Sequence, residues 1–96
     1  MADVVRYNAF VAGSLALDTG DGWVPLSDES RKADLNIYTL TGNILIRFPG
    51  SDDEAALPLE TPLRVHGVNM SAVEVSATED DSVVSWIGNE AYVIFP

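Results

Sequence analysis

Cysteine is absent from these 96 residues, and histidine and lysine each occur once, as His66 and Lys32. Without thiols the chain has neither a disulfide framework nor a thiolate metal site. Stability must then come from packing, hydrogen bonds or assembly with other chains. One histidine rules out two-histidine metal sites and histidine relays. Five basic residues stand against fifteen acidic ones, for a net charge of −10. That sign opposes phosphate backbones and anionic membranes. Arg6, Arg47 and Arg64 are scattered singly and Lys32 adjoins Arg31, so nucleic acid has no basic stripe to follow. No apolar run approaches the ~20 residues that cross a bilayer. The N-terminus lacks the basic-then-apolar layout of a signal peptide, which predicts a protein made and used without secretion. Helical patterning is confined to 27–34, short and polar enough for one capped surface turn.

What the chain has in quantity is extended-strand patterning, clearest over 34–48. Two runs of β-branched and aromatic residues flank Gly42-Asn43, a hairpin signal. This register predicts Ile37 opposite Phe48, Thr39 opposite Ile46 and Leu40 opposite Leu45. Ile37, Ile44, Ile46 and Phe48 then share an apolar face, while Asn36, Tyr38, Leu40, Leu45 and Arg47 make a half-polar one. A hairpin apolar on both sides needs cover, which points to a sandwich or barrel.

The remaining segments fit that reading. Residues 3–12 alternate as a first strand, Gly13-Ser14 interrupts it, and 14–18 make a short second strand. Residues 18–22 form a turn, and Pro25 marks 23–26 as an edge strand or extended loop. Residues 49–54 are a solvated loop, 55–60 pair weakly, and 63–67 and 72–77 are strands. Residues 82–87 and 90–95 suggest a second hairpin about Gly88-Asn89, with Trp86 opposite Ala91, Val84 opposite Val93 and Ser85 opposite Tyr92. The expectation is a single all-β domain over 1–96, a β-sandwich or jelly roll of eight to ten short antiparallel strands with at most one short helical turn.

Little in this pattern points to catalysis. His66 alternates with apolar residues on an ordinary strand, two residues after Arg64 on the same face. Asp18, Asp21 and Asp28 could offer oxygen ligands to calcium, with Asp18 and Asp21 the leading candidates, but their spacing matches no EF-hand loop. Adjacent acids, here and at 52–54 and 79–81, ordinarily make solvated turns. No nucleophile elbow or phosphate-cradling glycine loop is present. The expectation is a non-enzyme without a cofactor. Large aromatic residues and apolar strand faces exceed what one small domain can hide, which points to a subunit interface. Trp23 with Pro25 is the first candidate anchor, followed by Tyr38 with Leu40, and then Tyr92.

Residues 58–68 run as an apolar strand ending in Gly67-Val68. A short strand over 73–76, an acidic turn and a Val-rich strand ending in Ile87-Gly88 follow. Over 58–88 this order resembles small all-β structural proteins of bacteriophage virions, of the head decoration type. The resemblance implies a non-enzymatic, multimeric, capsid-associated protein with no catalytic residue to transfer. It would be a homo-oligomer, such as a trimer, bound to a capsid or other virion protein. It would be made in the host cytoplasm and located in the virion. Two other classes fit the composition: an acidic module or inhibitor that docks on a basic protein, and a calcium-stabilised carbohydrate-binding sandwich built on the 18–22 turn.

Overall fold

Strands form wherever apolar and polar residues alternate, and each apolar set faces one shared core. The computed structural model describes the backbone of residues 4–59 and 61–94, with side chains over 11–59 and 61–90. The strands are β1 (Val4–Leu17), β2 (Val24–Pro25), β3 (Lys32–Thr41), β4 (Ile44–Arg47), β5 (Ala55–Leu57), β6 (Leu63–Asn69), β7 (Glu74–Ala77) and β8 (Ser82–Ile94). They make two four-stranded sheets, ordered β1-β8-β3-β6 and β2-β7-β4-β5, through antiparallel ladders. First pairs with last, second with seventh, third with sixth and fourth with fifth. This is the connectivity of one long antiparallel ribbon rolled on itself, a jelly roll.

The core lies between the sheets. Ala33, Leu35, Ile37, Val84 and Trp86 face it from the first sheet, Ile44, Ile46, Val75 and Leu57 from the second, and Val73 from just before β7. Thr39 is buried among them because its hydroxyl donates to the Leu57 carbonyl at 3.0 Å, joining the two sheets.

Three expected connections are different in the structure, and glycine is involved each time. Gly42-Asn43 does not close a hairpin: β3 and β4 belong to different sheets, and Ile37 pairs with Trp86 and Leu63 instead of Phe48. Thr39 pairs with Val84, not Ile46, and Leu40 falls at a ladder irregularity instead of facing Leu45. Gly42 does have the expected positive φ of 81°, but the bend carries the chain over the edge of the core. Both apolar faces are thereby buried against each other across the core instead of side by side. Buried Ser82 fixes this corner, accepting from the Asn43 amide at 3.1 Å and donating to the Glu79 carbonyl at 2.6 Å.

Gly88-Asn89 is not a turn either, because β8 runs unbroken through it. Trp86 pairs with Gly13 and Ile37, Val84 with Leu15 and Thr39, and Ser85 with Ser14 and Tyr38. The partners expected for them, Ala91, Val93 and Tyr92, pair instead with Tyr7, Val5 and Arg6. Gly88 is required where the backbone crowds, since a Cβ there would meet the Asp34 carbonyl oxygen. Gly13 likewise does not interrupt β1. The Trp86 ring lies over it, 2.5 Å from where a Cβ would sit. Finally, 27–34 is not helical. Ser27 Oγ accepts from the Glu29 amide at 3.2 Å, the chain bends, and β3 starts at Lys32. The helical turn is the 3-10 turn Thr19–Asp21.

Candidate functional site

Strands β1 and β8 have 14 and 13 residues, longer than strands usually run. β3 accompanies β8 only as far as the Ala33–Glu90 pair. Beyond it, Ala91 to Ile94 pair with Tyr7 to Val4 alone, with a bulge at Asn8. The two strands therefore leave the body as a ribbon of about 13 Å. The long axis of the molecule is accordingly 49 Å against 24 and 22 Å across. Of the five basic and fifteen acidic residues, β1 holds only Arg6 and β8 only Glu90.

Within the body, the same two strands and β3 form the outer face of the first sheet. Exposed Ala12, Ser14 and Ala16 alternate with the half-buried or buried Leu15, Val11 and Leu17 on β1. Ser85 and Ile87 continue that face on β8, and Tyr38 and Leu40 on β3. The exposed large apolar residues among those described are Leu40 at 55%, Leu59 at 55% and Ile87 at 41%. Leu40 and Ile87 lie on this face, and Leu59 bridges to β3 at Thr39. A shallow cleft of about 370 Å³ runs between Asn36, Tyr38, Pro62, Arg64 and Ile87. Its polar rim is Arg64, whose Nε donates to Asn36 Oδ1 at 3.3 Å.

The expected anchors do not form one patch. Tyr38 and Leu40 are on the face just described. Trp23 is half-buried at the far sheet, with the Arg47 guanidinium 4.2 Å from its ring centre. Arg47 Nε in turn pairs with Glu74 Oε1 at 3.0 Å. Trp23 is thus covered from within its own chain by a cation–π contact. Pro25 is exposed on β2, at the edge of that sheet. Tyr92 pairs with Arg6 in the ribbon, and its side chain lies outside the described residues. The uncharged β1 and β8 positions (Ala12, Ser14, Ala16, Ser85 and Ile87) were not among the expected anchors. Their signal in the sequence is alternation without charge across two long strands.

The candidate metal ligands bind backbone instead. Asp21 Oδ2 accepts from the Asp18 amide at 2.8 Å, and Asp18 Oδ1 accepts from the Asp81 amide at 2.9 Å. Asp80 Oδ1 accepts from both the amide and the hydroxyl of Thr19 at 2.9 Å. These carboxylates tie the 18–22 turn to the 78–81 turn. Among the described residues no cluster of three or more His, Asp or Glu is placed to hold a metal ion. His66 is exposed on β6 with Nδ1 3.5 Å from Asp34 Oδ2, while Asp34 Oδ1 accepts from the Gly67 amide at 2.6 Å.

The Thr19 amide, and then its hydroxyl, hold the Asp80 carboxyl below its ordinary value of 3.8. A depressed native pKa contributes stability above the unfolded value that is lost as the pH falls through the native one. Thermal melts between pH 5 and 2 should show this loss, and Asp80→Asn should show a smaller fall over that window. An equal fall in both proteins would remove Asp80 from the acid response.

Comparison with models of protein families, with curated proteins and with solved structures finds no match to this chain.

Proposed function

We propose that this protein is a non-enzymatic structural subunit that assembles with copies of itself into a larger particle. The observation that carries the reading is the β1–β8 ribbon, which has no acidic residue over Val4–Tyr7 and Ala91–Ile94 and leaves the body of an otherwise strongly acidic chain. A two-stranded ribbon is marginal in water by itself. Its sequence, Val-Val-Arg-Tyr against Ala-Tyr-Val-Ile, is rich in groups that water disfavours. The outer face carrying Leu40 and Ile87 continues this charge-poor surface, and the acidic loops keep separate copies soluble.

The resemblance of 58–88 to phage virion proteins supports a virion as that particle. The role that fits is a decoration, cement or head–neck component bound to a capsid protein, made in the host cytoplasm. Jelly rolls build viral capsids, but also lectins and cupins, so the fold alone does not decide between them.

Leu40→Lys with Ile87→Lys places two charges on the exposed face without touching the core. Assembly followed by light scattering should weaken about tenfold or more, at unchanged melting temperature of the monomer. A native chain that stays monomeric at the highest soluble concentration would contradict the proposal. A second reading is favoured by the five acids of the joined turns, Asp18, Asp21, Glu79, Asp80 and Asp81. In it the chain docks on a basic protein, which high salt should release.

A further inference from the structure

A two-sheet sandwich has four edge strands, and each presents unpaired backbone groups that must be protected from other chains. Three of the four edges here are protected. β2 is two residues long and contains Pro25, which has no N–H to offer. β5 is three residues long. β6 is kinked by its irregular pairing at Asp34 and by Gly67 at a φ of 60°, and it carries exposed Arg64 and His66.

β1 has none of these features along most of its length. Among the described residues it has a ladder partner on one side only, and it extends for 14 residues without proline. Its single bulge, at Asn8, leaves Ala9 to Leu17 in regular register. We propose that the outer edge of β1 pairs antiparallel with β1 of a second copy, joining two four-stranded sheets into one of eight strands. This rests on the self-assembly reading above and names one of its contacts, leaving the outer face with Leu40 and Ile87 for the others that build the particle.

Charge selects the second copy as the occupant. Two chains of net charge −10 repel each other least where neither carries acid, and β1 has no acidic residue. A basic partner would be drawn instead to the acidic turns. Head-to-tail pairing of β1 with β6 would meet the kinked edge, so the two-fold arrangement remains. Such a contact is self-complementary and closes after two copies.

Nitroxide labels on single cysteines test the register, in a chain with no other thiol. Ala12→Cys, Ser14→Cys and Ala16→Cys lie along the exposed side of β1, and Ser76→Cys on β7 is the control. In a two-fold antiparallel pair, each two-residue step moves both labels, so the separation along the strands changes by roughly 13 Å per step. Dipolar spectroscopy on the assembled full chain should show these steps. A label in β1 that turns the protein monomeric, when the label at Ser76 does not, also supports the contact. Oligomers whose label separations do not follow the steps, or a trimer without even-numbered species, would overturn the β1 contact and leave self-assembly standing. A monomer in the native chain and in every labelled variant would overturn both.

Discussion

Gly88→Val is expected to leave the chain largely unfolded at 37 °C. Gly88 sits mid-strand in β8, paired with Val11 on one side and Leu35 on the other. A Cβ there would run into the Asp34 carbonyl oxygen and crowd Leu35 Cα, which are backbone atoms of the neighbouring strand. A flexible side chain could rotate away, but a laddered carbonyl can move only by shifting β3. Strain of this kind costs ~3 kcal/mol or more, a large part of the stability of a small domain. Gly88→Ala should show the milder form of the same defect, with a melting temperature lower by roughly 15 °C. Circular dichroism melts of both variants read this directly, and a native-like melt for Gly88→Val would mean that the two strands are not so closely apposed.

The second large effect is expected at Ile37. It is fully buried, and β3 is hydrogen-bonded on both sides there, to Trp86 of β8 and Leu63 of β6. Ile37→Ala removes a branched side chain from a site that both flanking ladders hold in place, so the core has little freedom to collapse. The expected loss is about 4 kcal/mol in chemical denaturation. Leu40→Ala, three residues away on the exposed face, should change monomer stability by less than about 0.5 kcal/mol. Equal losses at the two positions would contradict the assignment of the faces.

The contrast between Ile37 and Leu40 shows how much of the fold the sequence made legible. Period-two alternation assigned the inner faces: Ile37, Ile44 and Ile46 do face one core, and the all-β class follows from that pattern. Pro25 marked an edge, and 63–67 with 72–77 anticipated β6 and β7. What alternation does not contain is which strand lies beside which. Gly42-Asn43 and Gly88-Asn89 have the same local chemistry, yet one is a corner between sheets and the other lies inside a 13-residue strand. The difference lies in distant partners, Ser82 for the first and Asp34 for the second, which no local window includes. Gly13 resembles a break in the local sequence for the same reason, because the Trp86 ring that excludes a side chain there is 73 positions away.

The candidate site was legible in part. Tyr38 and Leu40 are on the outer face of the first sheet, but Trp23 is already engaged by Arg47. Aromatic size alone could not tell these apart, since the Arg47–Glu74 pair that holds the guanidinium over the ring depends on β4 lying beside β7. The stronger signal was a negative one, two long stretches nearly free of charge in a chain that is otherwise acid-rich.

Sedimentation equilibrium of the native chain over a wide concentration range tests the assembly most directly. Self-assembly predicts a mass that rises with concentration from 10.3 kDa to a defined multiple of it. A mass fixed at 10.3 kDa up to the solubility limit would contradict it.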